Sequence, residues 1–328
     1  MARPPSSRGG RDPARELFIR RTAAALSLSP GDVEGALSVP RRPSVRINTL
    51  RAADPEATLE ELRALDLGLE AIPWCPGGFH LDGDKARLVA SPLFREGRVF
   101  IQNASSFIPP IVLDPQPGER ILDVCAAPGG KSAHVAALTG NHAELWLNDA
   151  LRLDKLIEVT TLLGVHASSL TAHPGQYIDK FIDGPFDRIL LDAQCGGEGM
   201  IDLSHPNALR FWSMARVTKY HHMQRSMVNA AFRLLKPGGV LVYSTCTFAP
   251  EEDEEPVAHL VKHQADAEVV PIDLPIPNRR PAVLSWEGRK LPPQLAGALR
   301  LAPSPWFEGF FVCRIRKSAA LRPPVSGL

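Results

Sequence analysis

Hydrophobic positions from about residue 118 onward follow two alternating patterns. Short, almost continuous apolar runs are typical of buried strands. They lie at residues 119–125, 145–149, 186–192, 240–246 and 309–315. Between these runs, apolar residues recur at helical spacing. The helical segments are 132–138, 150–163, 214–235 and 253–263. Strands that alternate with helices predict an α/β fold, with a largely parallel sheet covered by helices on both faces.

The first 110 residues carry shorter elements of mixed type. A helical pattern starts at Pro13, and residues 44–50 alternate like a strand. Residues 54–66 predict another helix, because Asp54 is a good N-cap and Pro55 suits the first helical position. The amino-terminal part is therefore predicted to be a smaller α+β unit.

The change of pattern near residue 110 predicts two domains in this chain of 328 residues. We expect an amino-terminal domain over residues 15–110 and the α/β domain over residues 111–317. Residues 1–14 are rich in Arg, Pro and Gly and predict a disordered basic tail, and residues 318–328 predict a second tail.

Composition and charge exclude several classes of protein. The net charge is +1, and the hydrophobic fraction of 44% is ordinary for a soluble globular protein. No apolar run approaches the length of a membrane span, and the amino end lacks the apolar region of a secretory signal. The first 50 residues nevertheless hold nine arginines against four acidic residues, so the basic bias is local to the amino end.

The five cysteines are scattered along the chain. They are Cys75, Cys125, Cys195, Cys246 and Cys313. Because no CxxC motif or Cys/His cluster is present, we expect no metal site. Isolated thiols in a chain of this size are typical of a reducing compartment, which predicts a cytoplasmic protein.

Polar or reactive residues end four of the predicted strands. These residues are Asp123 with Cys125, Asp149, Asp192 with Cys195, and Cys246. Ligands of open α/β sheets bind at the carboxyl ends of the strands. The loop over residues 126–132 ends in Gly-Lys-Ser, but Cys125 stands where a phosphate-binding loop has its first glycine, and no GxGxxG motif occurs. A strand-end acid that can bind a ribose, without a phosphate cradle, predicts a nucleoside cofactor such as S-adenosyl-L-methionine.

Three motifs resemble one family closely. They are Asp-Val-Cys-Ala-Ala-Pro-Gly-Gly-Lys (123–131), Leu-Asp-Ala-Gln-Cys (191–195) and Tyr-Ser-Thr-Cys-Thr (243–247). Together they resemble the Sun-family (RsmB/RsmF-type) RNA 5-methylcytosine methyltransferases over roughly residues 15–317. The resemblance implies a Rossmann-like S-adenosylmethionine-dependent methyltransferase sheet with a smaller α+β N-terminal RNA-binding domain. The greatest similarity is to bacterial members that methylate small-subunit ribosomal RNA, although the carboxy-terminal RNA-binding extension of that branch is not expected here.

The family implies a role for each motif residue. Cys246 is the expected nucleophile that adds to C6 of cytosine, and Cys195 assists loss of the C5 proton and product release. Asp192 is expected to bind the cytosine N3/N4 edge, while Lys131 positions the base and stabilises the thiolate. The expected cofactor-binding residues are Cys125, Ala126, Ala127, Pro128, Gly129, Gly130, Lys131, Asp149 and Asp192. The candidate RNA phosphate contacts are Arg20, Arg21, Arg41, Arg42 and Arg46.

Three positions depart from the family pattern. Gln194 replaces the Pro of Asp-Ala-Pro-Cys, which frees φ and adds a backbone donor. Pro174 stands where the family has an acid that contacts the adenine amino group, and Asp154 stands where it has an arginine. One lost neutral hydrogen bond costs roughly 0.5–1.5 kcal/mol, so we expect weakened rather than abolished cofactor binding.

Other functions fit less well but stay open. The departures favour a catalytically weak RNA-binding protein acting in ribosome assembly, and the same chemistry on tRNA is a further alternative. A DNA cytosine-5 methyltransferase would place its nucleophile in a Pro-Cys motif, and residues 194–195 read Gln-Cys. An adenine-N6 enzyme would need an Asn/Asp-Pro-Pro-aromatic motif, which does not occur. The expected partner is RNA, in particular ribosomal RNA of the small subunit. No membrane is expected as a partner.

Overall fold

The computed structural model describes residues 12–319. Its amino-terminal elements are α1 (Pro13–Leu26), α2 (Pro30–Leu37), β1 (Ser44–Ile47), α3 (Pro55–Ala64), β2 (Leu69–Ala71), β3 (Gly78–Leu81), α4 (Lys85–Ala90), α5 (Pro92–Arg95), β4 (Val99–Gln102) and α6 (Ile108–Leu113). The Asp54 side chain accepts hydrogen bonds from the backbone N–H groups of Glu56 and Ala57, as the sequence predicted for the start of α3.

The short strands form an antiparallel sheet in the order β2-β3-β1-β4. Its apolar face packs on α3 and the α4–α5 segment through residues such as Val45, Leu62, Leu88 and Val99. The strand β1 lies between two partners and is buried over its whole length. This mixed arrangement is the α+β unit that the sequence predicted.

The second part of the chain carries longer elements. They are β5 (Arg120–Asp123), α7 (Gly130–Leu138), β6 (Glu144–Asn148), α8 (Leu153–Leu163), β7 (Ser169–Thr171), β8 (Phe186–Asp192), α9 (Met214–Leu234), β9 (Leu235–Thr245), α10 (Glu254–His263), β10 (Ala267–Val270), β11 (Arg279–Arg280), β12 (Ser285–Trp286), β13 (Arg289–Lys290), β14 (Leu299–Leu301) and β15 (Phe310–Lys317). Short 3₁₀ helices lie at Ala104–Phe107, Gly175–Lys180, Glu198–Met200 and Pro293–Gly297.

The large sheet has the order β11-β14-β15-β9-β8-β5-β6-β7, and β10 also pairs with β15. The strands β7, β6, β5, β8 and β9 are parallel, whereas β15 runs antiparallel to β9. The chain order reverses between β5 and β8, so a crevice opens at their carboxyl ends, where ligands of such sheets bind. Helices cover both faces of the sheet over two apolar cores. The predicted α/β methyltransferase fold is confirmed.

The helices α1 and α2 pack against residues of the second part of the chain rather than against the small sheet. Phe18 and Leu37 share an apolar cluster with Leu203 and Phe248. Helix α6, which straddles the predicted boundary near residue 110, packs on the large sheet through Ile108 and neighbouring residues. The domain limits therefore stay a prediction. The strands of the small sheet all precede α6 in the chain, and those of the large sheet all follow it.

Both predicted tails fall largely outside residues 12–319. Pro13 and Ala14, which the sequence assigned to the first tail, instead form the first turn of α1, with Asp12 as its N-cap. No helix within residues 12–319 is long and apolar enough to cross a membrane. Over the same residues, no group of three or more His, Cys, Asp or Glu side chains is placed to hold a metal ion.

Candidate active site

The loop between β5 and α7 forms one wall of a cavity of about 190 Å³ at the switch point of the sheet. The loop contributes Cys125, Ala126, Ala127, Pro128, Gly130 and Lys131, and Asp192 completes this side. Phe100 and Gln102 of β4 close the cavity from the small sheet. Gly130 permits this approach, because a Cβ there would lie 2.6 Å from the Phe100 ring. The cavity is thus built where the two sheets meet.

Two carboxylates hold the backbone around this cavity. Asp123, at the end of β5, accepts hydrogen bonds from the Ser132 hydroxyl at 2.7 Å and from the Cys125 N–H at 3.3 Å. Its burial raises its pKa to about 7. Asp149, at the end of β6, accepts from the N–H groups of Ala127 at 3.1 Å and Arg152 at 2.8 Å. The predicted ribose acid therefore also fixes the loop that lines the cavity.

Cys195 and Cys246 are brought together at the ends of neighbouring strands. Their Sγ atoms lie 3.3 Å apart. The hydrogen bond with Cys246 raises the pKa of Cys195 well above its usual range, and burial and the Cys246 charge act in the same direction. Cys195 therefore resists ionisation at neutral pH, and the two sulfurs form one hydrogen bond in which either can be the donor. The geometry brings the two thiols to one point, where one can attack a base and the other can exchange a proton.

Lys131 and Asp192 form an ion pair beside the thiols. Lys131 Nζ lies 2.6 Å from Asp192 Oδ2, and the Ser244 hydroxyl donates to Asp192 Oδ1 at 2.7 Å. Burial alone lowers the pKa of Lys131, but attraction by Asp192 and Cys246 outweighs it and raises the pKa above the ordinary value. The Lys131 ammonium therefore stays charged next to Asp192 and Cys246, the two groups whose negative charge it stabilises.

Glu252 is a buried carboxyl group whose part in the site the sequence analysis missed. Its Oε2 accepts from the Gly196 N–H at 2.7 Å and from Gln224 Nε2 at 3.0 Å. Burial is the main cause that raises the pKa of Glu252 to about 9. A Cβ at position 196 would lie 2.7 Å from Glu252 Oε1. The sequence signal for this carboxyl group was the acidic run at residues 251–254, which follows the Thr-Cys motif. Glu252, the second member of the run, supports the loop that carries Cys195.

Two more buried carboxylates near the thiols were also missed. Glu254 forms a two-pronged ion pair with the fully buried Arg300, with N···O distances of 2.6 and 2.5 Å. Glu308 lies among the charges of Lys131, Arg41 and Asp192, and its burial raises its pKa. Neither could be assigned from local sequence, because their partners are distant along the chain.

The structure corrects part of the predicted RNA-binding arginine set. Arg46 is 2% exposed on the inner strand β1, so it is shielded from a phosphate, and its burial lowers its pKa to about 10. Arg21 is paired with Glu251 at 2.6 Å and with Glu287 at 2.7 Å, which neutralises most of its charge. Arg20 and Arg42 are exposed and Arg41 is half-buried, so their role as phosphate contacts stays a prediction.

The departures from the family pattern are visible at the site. Pro174 is exposed and caps the 3₁₀ helix at Gly175–Lys180 without a side-chain hydrogen bond. Asp154 is exposed in α8, while the Arg152 guanidinium donates to the Ala127 carbonyl at 2.8 Å. The backbone carbonyl of Gln194 accepts from Gln224 Nε2 at 2.8 Å, a contact that a proline at this position would keep, because proline has the same carbonyl oxygen.

Comparison with known proteins assigns both parts of the chain. Residues 110–316 match the family model for 16S rRNA methyltransferase RsmB/F, and residues 15–104 match that for the N-terminal domain of 16S rRNA methyltransferase RsmF.

Two curated relatives and one solved structure illustrate the similarity. A tRNA (cytosine(49)-C(5))-methyltransferase of Pyrococcus abyssi is 40% identical over 85% of this chain and 89% of its own length. The ribosomal RNA small subunit methyltransferase F of Cronobacter sakazakii is 35% identical over 95% of this chain, but the chain spans only 64% of that enzyme. A methyltransferase homologue from Pyrococcus horikoshii superposes with a TM-score of 0.76 at 29% identity, over 92% of this chain and 99% of that one. This chain therefore belongs to the RsmB/F family of 16S rRNA methyltransferases.

Proposed function

We propose that this protein transfers a methyl group from S-adenosyl-L-methionine to C5 of a cytosine in ribosomal RNA. The observation that carries the proposal is the pair of thiols 3.3 Å apart beside the Lys131–Asp192 ion pair. Cytosine C5 is a poor nucleophile, and a thiolate that adds to C6 makes it reactive. The target base must leave any stacked structure to reach such a pocket.

The residues around the cavity fit the cofactor. Gln102 Oε1 lines this cavity and, within residues 12–319, is buried without a hydrogen-bond partner, which offers an acceptor to a ligand. Gly129 has φ +117° and packs against side chains of α8, whereas Gly130 lines the cavity against Phe100 and Gln102. Asp149 stands at the strand end where a ribose is bound in related sheets. When bound, the cofactor supplies an electrophilic methyl group.

The protein groups then divide the remaining work. The Cys246 thiolate forms a bond to C6, and the electron pair of the C5–C6 double bond becomes available at C5, which takes the methyl group. Asp192 holds the N3/N4 edge of the base, and Lys131 keeps the local charge balanced. Formation of the S–C6 bond removes the Cys246 hydrogen bond and charge that raise the pKa of Cys195, so Cys195 releases its proton to solvent. The Cys195 thiolate then takes the proton from C5, the C5–C6 double bond returns, and Cys246 leaves C6 as a thiolate.

The site also requires a reducing environment. Two thiols at 3.3 Å in a partly exposed pocket are open to oxidation, which would block the nucleophile. This requirement supports the cytoplasmic location that the sequence predicted.

Transfer RNA is the second candidate substrate. The relative from P. abyssi acts on tRNA, shares 40% identity and is matched over 89% of its length, whereas the relative that acts on the small subunit is matched over 64%. The chemistry at the thiols is the same for both substrates. The small ribosomal subunit is our proposed partner because both family models describe enzymes of 16S rRNA.

The test compares three proteins with labelled cofactor and unmodified small subunits, ribosomal RNA and tRNA. The wild-type protein is expected to label cytosine C5. The variant Cys246→Ala should lose methyl transfer, and Cys195→Ala should accumulate a covalent protein–RNA adduct that survives denaturation. A wild-type protein that binds no cofactor and labels none of these RNAs would overturn the enzyme assignment in favour of an RNA-binding assembly factor.

A further inference from the structure

A second cavity, of about 630 Å³, lies along the segment that follows Cys195 in the chain. Its walls include Gly197, Met200, Asp202, His205, Asn207 and Arg210. Gly197 follows Cys195 by two positions, and the Gly199 N–H donates to the Cys246 carbonyl at 2.9 Å. The cavity is therefore continuous with the backbone that carries both reactive sulfurs.

The segment that forms this cavity is held rigidly at both ends. The buried Glu198 carboxylate accepts from the Thr247 hydroxyl at 2.9 Å, which ties the start of the segment to the residue after Cys246. Its other oxygen accepts from Trp212 Nε1 at 2.7 Å, which ties down the end. The Trp212 ring packs edge-on against Phe18 of α1 at 5.3 Å. The conformation of the segment is thus fixed by the protein itself.

This rigid segment nevertheless displays apolar side chains to solvent. Met200 is 56% exposed and Phe211 is 65% exposed. The Arg210 guanidinium lies over the Phe211 ring, 4.1 Å from its centroid. Exposed apolar groups on an ordered loop beside a reactive centre mark a binding surface. Aromatic rings and arginine planes are the groups on which proteins stack unpaired nucleotide bases.

We propose that this surface binds the base of the nucleotide adjacent to the target cytosine, with Phe211 and Arg210 as its stacking platform. The inference rests on the proposed function, because a cytosine held at Cys246 is covalently joined to neighbours that must cross the mouth of the pocket. Arg210, which covers the Phe211 ring, also lines the cavity, together with the hydrogen-bonding side chains of Asp202, His205 and Asn207, which can contact the edge of that base. The segment would therefore select the sequence around the methylated cytosine.

The test measures RNA binding rather than methyl transfer. The wild-type protein and the variants Phe211→Ala, Phe211→Leu and Phe211→Trp are titrated with labelled transcripts of tRNA and small-subunit ribosomal RNA, and with assembled small subunits, in the presence of S-adenosylhomocysteine. Loss of one stacked base is expected to weaken the affinity of the Ala and Leu variants by about 5- to 150-fold. The Trp variant should bind as the wild type does. The matched control is Phe181→Ala, which removes another exposed ring, 54% accessible, that stacks on His173 and lies outside this segment.

The outcomes separate this site from the proposed function. Wild-type affinity in Phe211→Ala or Phe211→Leu for both naked transcripts overturns the stacking platform. A loss in Phe211→Ala that is seen only with assembled subunits assigns the surface to a protein and also overturns it. RNA binding that depends on the Phe211 ring without any methyl transfer supports the site but contradicts the proposed function. A wild-type protein that binds neither transcript nor subunit overturns both.

Discussion

The Sγ atoms of Cys195 and Cys246 lie 3.3 Å apart although the residues are 51 positions apart in the chain. The strands β8 and β9 pair in parallel, so Asp192 lies opposite Ser244 and both strand ends reach the same edge of the sheet. The loop after β8 is then turned back by the Glu252 contact to the Gly196 N–H. The sulfur pair is therefore a product of strand register and of one buried carboxyl group.

Thiol alkylation should distinguish the five cysteines. Burial raises the pKa of Cys75 to about 12 and the pKa values of Cys125 and Cys313 above their usual range. The hydrogen bond with Cys246 does the same for Cys195. Because alkylation requires the thiolate, iodoacetamide at pH 7 should modify Cys246 first, as read by peptide mass spectrometry. Earlier modification of Cys195 would show that the proton is assigned to the wrong sulfur.

Removal of the Lys131 charge should slow methyl transfer. In Lys131→Ala the partly buried Asp192 loses its cation, and the thiolate loses a stabilising charge. Removal of one electrostatic group from a reacting site costs about 10²-fold or more in kcat. The matched control is Lys155→Ala, which breaks an exposed ion pair with Glu158. Such a pair contributes about 0–1 kcal/mol to stability, and kcat of this variant should stay within about twofold of the wild type. Equal rates for the two variants would contradict the assigned role.

Gly130→Ala should weaken cofactor binding. The new methyl group would approach the Phe100 ring to 2.6 Å and push the loop between β5 and α7, which lines the cavity, away from β4. Overpacking costs roughly 1–3 kcal/mol, so affinity for S-adenosylhomocysteine should fall by at least about fivefold in calorimetry. Gly35→Ala in α2 meets nothing within 4 Å and serves as the control. It should keep cofactor affinity and gain about 0.5–1 kcal/mol of stability.

Pro174→Asp should strengthen cofactor binding. Pro174 stands where the family has an acid that contacts the adenine amino group, and it caps a short helix without a side-chain hydrogen bond. An added acceptor contributes roughly 0.5–1.5 kcal/mol, which corresponds to a gain of about 2- to 13-fold in affinity for S-adenosylhomocysteine. Pro174→Ala removes the ring without adding an acceptor and should bind like the wild type. If the Ala variant gains as much as the Asp variant, relief of the proline ring is the cause.

Glu252→Gln should change how stability depends on pH. The pKa of Glu252 is about 9 in the folded protein against an ordinary value of 4.5, so the folded state holds a proton that the unfolded state loses. The free energy of unfolding therefore falls as pH rises from about 5 to 9, by at most about 1.4 kcal/mol per pH unit from this group. The neutral Gln variant should gain stability over the wild type with rising pH, measured by urea unfolding at pH 5–9. Glu60→Gln, on an exposed face, should follow the wild-type curve.

Local patterns along the chain were sufficient for the fold class and for much of the site. Apolar runs and helical spacing depend on neighbouring residues, so the strands ending at Asp123 and Asp192 were predicted close to their observed bounds. The cap at Asp54 was predicted for the same reason. Motif residues at strand ends followed from the rule that ligands bind at the carboxyl edge of parallel strands.

The tertiary structure decided what depends on contacts between distant residues. Arg46 is polar in the sequence, yet the pairing of β1 on both sides buries it. Arg21 is paired with Glu251, 230 positions away, a contact that no local pattern predicts. The raised pKa of Glu252 and the proton on Cys195 come from desolvation and neighbouring charge, which only the packed fold creates. The sequence determined the elements and the reactive groups, and strand order and burial determined which groups meet and which of them are charged.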